Sequence, residues 1–559
     1  MSAASCLVYL EIAEDGECIA HVFDPPGCII RAPTRSEALS RVPEAISETF
    51  AWLRRHGEPV PAESEPFEVV VGGESSGSGP FDPGDPAALF APDRKPLTSE
   101  EMERHLRLMS YARDDLLALV RDLPREILSW RPDPGSFTIR RLLRHVAHAE
   151  KWYVSRLVSP VSSPQEWEQD QELPVLEYLG VERRAVVTRL RQLTEEERTG
   201  LFYPSHWTEH PDEPWTARKV LRRLLEHERE HTAQLRRILA ARRRHLLSFL
   251  AAERAELLWQ VTDLDEGVLT ELLVLDDGGW TAKDLLAHIA AWDRWESREM
   301  KRMSTGDPPQ LAAVDDMDAF NAAVVADWRE RSLGEVLTEL TDARAALVTW
   351  LQRLPDEEFF RRRPFRDWDW SFPNCMEIQA KHDAEHAAQI ASWRKGGGLG
   401  EEIGPKAVLL AALDAAREEL LTAAALVPPR HRASHAVCGE WTLRDVVGHV
   451  ADWEWVAVEG LRHRIEGRPL RVERVTDIEA WNWEHVEARR DQRWGDVSDD
   501  LRAAREALLE IMEKVSQVDL TRSFTFPWGP SGTLYQWVRI FVAHDREHAE
   551  GVRDAGEIE

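Results

Sequence analysis

Three times along this 559-residue chain, a histidine is followed some 80 to 95 residues later by a His-x-x-x-His pair. The sets are His145 with His227 and His231, His288 with His382 and His386, and His449 with His544 and His548. Each leading histidine lies seven residues after a threonine (Thr138, Thr281, Thr442), and each pair begins eleven residues after a hydroxyl residue (Thr216, Ser371, Thr533). The pairs read HEREH, HDAEH and HDREH. Four residues is about one helical turn, so both imidazoles of a pair share a face. Matched offsets repeated three times in otherwise dissimilar sequence imply three copies of one helical unit.

The chain is too long for a single core, and several domains are expected. From Leu97 onward the apolar residues keep a helical period to the end. The expected fold is mainly α: three tandem antiparallel four-helix bundles preceded by a small α+β domain. The divisions fall at 1–72 for the α+β domain, 73–96 for a linker, 97–241 and 242–396 for two bundles, 397–404 for a second linker, and 405–559 for the third bundle. In the first bundle the fourth helix is expected to end near residue 241, and a new helix to run over about 243–263. Within 1–72, alternating runs at 7–12 and 18–23, a short strand at 28–31, a helix capped by Thr34 and a strand at 67–71 give the order β-β-β-α-β. Glycine, proline, serine and aspartate crowd 72–96, and Gly396, Gly397 and Gly398 mark the second joint.

Composition excludes several functions. A net charge of -29 repels nucleic acid phosphate, and the five arginines within 236–244 sit at a helix end, where solvent and the helix dipole explain them. No nucleic-acid partner is therefore expected. Five scattered cysteines without a Cys-x-x-Cys pair argue against disulfides and thiolate zinc sites. With no signal-like N-terminus and no apolar run of spanning length, the expectation is a cytoplasmic protein without a membrane partner. The 23 tryptophans are expected as packing residues.

Two imidazoles from one helix and one from its neighbour can share a divalent ion, and three neutral nitrogen donors leave coordination positions open for water or substrate. The nine histidines are the candidate metal ligands, and the donor set suits zinc or nickel. Acids five residues after the leading histidines (Glu150, Asp293, Glu454) fall off that face and are expected in salt bridges or caps. The acids inside the pairs (Glu228, Asp383, Asp545, then Glu230, Glu385, Glu547) are expected either to orient ligand rings or to be solvated. HEREH fits the His-Glu-x-x-His pattern of zinc proteases, but the other two copies carry aspartate, which does not fit that geometry. No side chain stands out as a catalytic nucleophile.

Stretches such as WTAKDLLAHIAAWDRWESREM with QAKHDAEHAAQIASW, and WTLRDVVGHVADWEWVAVEGL with FVAHDREHAEGVRD, resemble the DinB/YfiT-like superfamily of four-helix metalloproteins. SFTIRRLLRHVAHAEKWYVSRL and LLEHEREHTAQLRRIL extend the resemblance to the first unit, so it covers all three. The segments Asp316 to Asn321 and Asp477 to Asn482 are further family-like features. The resemblance implies a divalent metal on the nine histidines and thiol-dependent transferase, isomerase or hydrolase chemistry of detoxification type on a small-molecule substrate. It also implies a low-molecular-weight thiol as cosubstrate, and homodimer formation by bundle pairing. The alternative is a non-catalytic metal- or ligand-binding sensor or sequestering protein. The pieces DPPGC, TRSEAL and the Trp52-Leu53 helix end make residues 1–72 resemble the small HicB-like fold, which implies a partner-docking module.

Overall fold

A computed structural model describes residues 4–62, 65–76, 88–132, 136–157, 173–208, 211–262, 264–271, 279–365, 368–396, 404–465, 475–529 and 531–555. Residues 77–87 of the expected first linker and 397–403 of the second lie outside the described residues. The chain divides into two compact units, one of Met1–Arg121 with Ile139–Arg237 and one of Asp122–Thr138 with Ile238–Glu559.

The first unit begins with strands β1 (Ala4–Ile12), β2 (Cys18–Val22) and β3 (Cys28–Ala32), helix α1 (Arg35–Arg55) and strand β4 (Phe67–Ser76). The expected order holds. The sheet runs β3-β2-β1-β4, with β4 parallel to β1 and the other pairs antiparallel. Alternation along β1 sends Cys6, Val8 and Leu10 to one face, where Ala38, Val42 and Ile46 of α1 cover them. On the opposite face Tyr9 packs against Phe90, and the Ala88 N–H donates to Glu11 Oε1 at 3.1 Å. Ala88 and Phe90 are thus packed against the sheet.

Four long helices build each repeat. The first uses α2 (Ser99–Val120), α3 (Ile139–Ser155), α4 (Val175–Arg191) and the start of α5 (Ala217–Trp259). The second uses the end of α5 with α6 (Ala282–Ser304), α7 (Leu333–Arg353) and α8 (Phe372–Gly396). The third uses α9 (Lys406–Leu426), α10 (Leu443–Ile465), α11 (Trp494–Lys514) and α12 (Leu534–Ala555). Where the sequence predicts a break near 241–243, α5 is continuous. Ala240-Ala241-Arg242-Arg243-Arg244 contains no glycine or proline, and strong helix formers give the chain no reason to stop. Short two-stranded pairings precede the last helix of the second repeat and the second and last helices of the third, at 363–370, 436–442 and 523–533. Strands of two or three residues are too brief to register as a period. Among the described residues, no helix is long and apolar enough to cross a membrane.

Five recurrent hydroxyl residues are helix caps. Thr216, Thr281, Ser371, Thr442 and Thr533 each accept a hydrogen bond from the N–H three residues on. A cap fixes where the helix starts, so a histidine seven or eleven residues later, about two or three turns, acquires a fixed rotation toward its neighbours.

Behind each histidine pair lies a buried tetrad of two arginines and two acids. In the second repeat Arg254 of α5 binds Asp383 (3.0 Å) and Asp293 (2.9 Å), and Arg344 of α7 binds the same two carboxylates at 3.1 and 2.8 Å. The third repeat joins Arg417 and Arg505 to Glu454 and Asp545. The first joins Arg113 and Arg183 to Glu150 and Glu228. Each arginine also donates to the carbonyl four residues before its partner arginine, as from Arg113 to Leu179 (2.8 Å) and Arg183 to Met109 (2.8 Å). Burial opposes charge here, yet Asp293 and Asp383 keep the Arg344 guanidinium above its ordinary pKa, and Arg417 and Arg505 keep Asp545 below its own. All four helices are thereby locked at one level. Removing one member strands a buried charge, which costs about 3–5 kcal/mol. Urea unfolding of Arg344→Met is expected to show a loss of that order, whereas Arg294→Met, at the exposed pair with Glu339, should stay within about 1 kcal/mol.

Candidate metal centres

All nine predicted histidines come together, three to a repeat, with their ring nitrogens within 4.8 Å of one another in each set. The Nε2 of the first pair histidine is the hub. In the first repeat His227 Nε2 lies 3.0 Å from both His145 Nε2 and His231 Nε2. In the second, His382 Nε2 lies 2.9 Å from His288 and from His386. In the third, His544 Nε2 lies 2.9 Å from His449 and 3.1 Å from His548. Two donors on one ion at ~2.0–2.1 Å stand ~3.0 Å apart at a right angle and ~3.4 Å apart at the tetrahedral angle. The observed spacings fit ligands of a shared cation.

Burial favours the neutral ring that a metal requires. It lowers the pKa of His145 and His231 to about 4 and of His288 to about 3. His544 is lowered to about 3, and His382 and His449 to about 2, in each case by burial and then by the companion rings. His227, His386 and His548 are lowered as well, first by burial.

The surroundings hold some rings in place. Gln234 Oε1 lies 2.7 Å from His231 Nδ1, and Gln389 Oε1 stands 2.7 Å from His386 Nδ1. An amide oxygen there accepts the Nδ1 proton and leaves the Nε2 lone pair free. Gly551 occupies the matching place in the third repeat. Trp280 and Trp441, each just before a capping threonine, set their rings 5.2 and 4.8 Å from those of His288 and His449. The family-like segments act one shell further out. Asp316 and Asp477 cap short helices, and Asn321 and Asn482 accept from the indole N–H of Trp292 (3.0 Å) and Trp453 (2.9 Å).

A family model of the DinB superfamily matches the chain three times, over residues 108–235, 239–390 and 407–551. The chain belongs to the DinB superfamily. Curated proteins and solved structures return no match.

One expectation for this DinB-superfamily chain changes. Glu228, Asp383 and Asp545, expected as ring-orienting or solvated acids, instead belong to the buried arginine tetrads. That engagement also removes Glu228 from the general-base role that HEREH suggests. The acids five residues after the leading histidines do form salt bridges, all of them buried. Glu385 and Glu547 are exposed, and Glu230 is half-buried.

Sequence reasoning passed over the six arginines, although Arg-x-Asp/Glu-Leu in each first helix and Arg-x-Ala-Val/Leu in each third recur with the histidines. The glutamines and Glu296 were also legible only by position. Glu296 lies eight residues after His288 on the same face, where the other repeats have Tyr153 and Ala457. It lines a cavity of about 870 Å³ that reaches His288, His382 and His386 and is lined in part by Trp292, Trp295 and Trp370. Its Oε2 is buried without a hydrogen-bond partner. Burial, and then the charge of Asp293, pushes its carboxyl well above the usual range. The neighbouring Cys375 thiol is likewise pushed up, first by burial and then by Glu296.

Titration of divalent metal into the full-length chain is expected to show Gln389→Ala weakening binding at the second triad by about 10–100-fold. The same titration should rank the third triad, which lacks the glutamine, below the second.

Proposed function

We propose that the chain is a divalent-metal-dependent enzyme acting on small molecules, with its second repeat as the reacting centre. The observation that carries this is the histidine triad opening onto a large cavity beside an acid whose buried Oε2 has no hydrogen-bond partner. Zinc or nickel is the ion the three-imidazole donor set suits best. When bound, such an ion lowers the pKa of a thiol or water and polarises a carbonyl. The chain's own residues do the rest. His288, His382 and His386 hold the ion, and Trp292, Trp295 and Trp370 exclude bulk water. Glu296, kept protonated, donates a hydrogen bond to a substrate oxygen on which negative charge develops. Cys375, kept as a thiol, is no nucleophile, so the attacking group is a small thiol or water. The reaction class is thiol-dependent transfer or isomerisation, or hydrolysis, of a reactive electrophile in the cytoplasm.

The second reading is a non-catalytic sensor or sequestering protein in which a HicB-like N-terminal domain docks a partner. What favours it is that His21 of that domain lies 3.2 Å from Glu226, the residue preceding His227.

Elemental analysis of the purified full-length chain is expected to find close to three equivalents of metal, reduced by one in each of His231→Ala, His386→Ala and His548→Ala. Turnover of thiol and electrophile mixtures should be lost in His386→Ala and retained in the other two. Glu296→Leu should lower kcat/KM by ~10²-fold or more, with Glu296→Gln, which keeps a donor, much closer to wild type. Full metal content with no turnover of any such mixture would favour the sensor.

A further inference from the structure

The three repeats share a face as well as a triad. Asp115, Glu256 and Glu419 each fall two residues after the tetrad arginine of the first helix. Arg222, Glu377 and Arg539 each fall five residues before the histidine pair, and Arg229 and Arg546 two residues after its first member. In the second unit, this face of the second repeat meets this face of the third. The Tyr535 hydroxyl donates to Glu256 at 3.2 Å, and Arg539 stands 3.8 Å from the same carboxylate. Arg546 reaches Glu253 and lies 5.5 Å from the Phe249 ring centre.

In the first unit, the same positions are taken by the N-terminal domain. Trp52 donates its indole N–H to Asp115 at 2.7 Å, and His56 stands 3.6 Å from that carboxylate. Arg222 lies 3.0 Å from His21 Nδ1, while Arg229 lies 4.1 Å from the Trp52 ring centre and donates to Thr49 at 3.3 Å. The fit is close. Gly27, at φ +78°, approaches α5 so nearly that a Cβ would stand 2.9 Å from Leu225. His21, Glu226 and Arg223 are buried completely.

We propose that the N-terminal α/β domain is a built-in substitute for a partner bundle. It closes the pairing face of the first repeat, so the full-length chain is a monomer. Lifting it exposes a face whose occupant is the same face of a second copy of this chain. The grounds are positional: the matched acid and the matched basic position that join the second and third repeats are, in the first repeat, bonded to Trp52 and His21. The homodimer that the family resemblance implies is thereby withheld until the domain is released.

Sedimentation of the full-length chain is expected to give one chain per particle, and a dimer would overturn the proposal. Gly27→Val drives a side chain into Leu225, and Glu58→Arg sets a cation against Arg107, its present partner at 2.6 Å. Hydrogen exchange along 221–229 selects the released form from this double variant or from the triple variant with Trp52→Asp added. The released form is expected to double in mass, and one that stays monomeric refutes the idea. Adding Asp115→Arg, on the pairing face itself, should return the particle to a monomer. A dimer or aggregate indifferent to that change would equally overturn it.

Discussion

The arginine–acid tetrad is the interaction on which the rest of each repeat depends. Four charges with little or no solvent exposure are tolerated because every one faces two of opposite sign, and because the arginines' remaining N–H groups end on helix carbonyls. Such a cluster is poor as a source of net stability, since a hydrophobic substitute of equal volume would avoid the desolvation. Its value lies in geometry. Guanidinium forks accept few arrangements, so the four helices can slide past one another only by breaking several charge-assisted bonds at once. One acid of each tetrad is adjacent in sequence to the first histidine of the pair, and the other follows the leading histidine by five residues. The level and rotation that satisfy the tetrad therefore also bring two Nε2 atoms to about 3 Å from the central one.

The three repeats keep this scaffold and differ in what surrounds it. Glutamine orients one ring in the first and second repeats, and a glycine stands there in the third. The second repeat places Glu296 where the others have tyrosine and alanine, and its triad opens onto the cavity. A common frame with divergent linings is the expected outcome where packing fixes the frame and function is set by a few exposed positions. The covering of the first-helix and last-helix face also differs, with a bundle on one side and a small α/β domain on the other.

Much of the candidate site was legible because its signals are local. His-x-x-x-His on one helix and a histidine at fixed distance from a capping threonine are facts of helical spacing, and helix period survives any tertiary context. The tetrads were less legible. An arginine on a helix reads as solvated charge unless something shows that its face is inside, and the acids beside the histidines invite the same misreading. Glu296 was harder still, since a lone carboxyl two turns from a ligand becomes unusual only once tryptophans from other elements close around it.

Residue order alone implies the mainly α architecture, the order of the N-terminal strands and helix, and the nine convergent histidines. Each follows from periodicity and caps acting within a few turns of chain. Tertiary packing alone set that α5 runs unbroken from Ala217 to Trp259, that five arginines and six acids of the tetrads are buried, and that Ala88 and Phe90 lie against the sheet. It also decided which surface covers which. Those outcomes depend on whether distant segments exclude water from a given side chain, and no spacing along one helix carries that information.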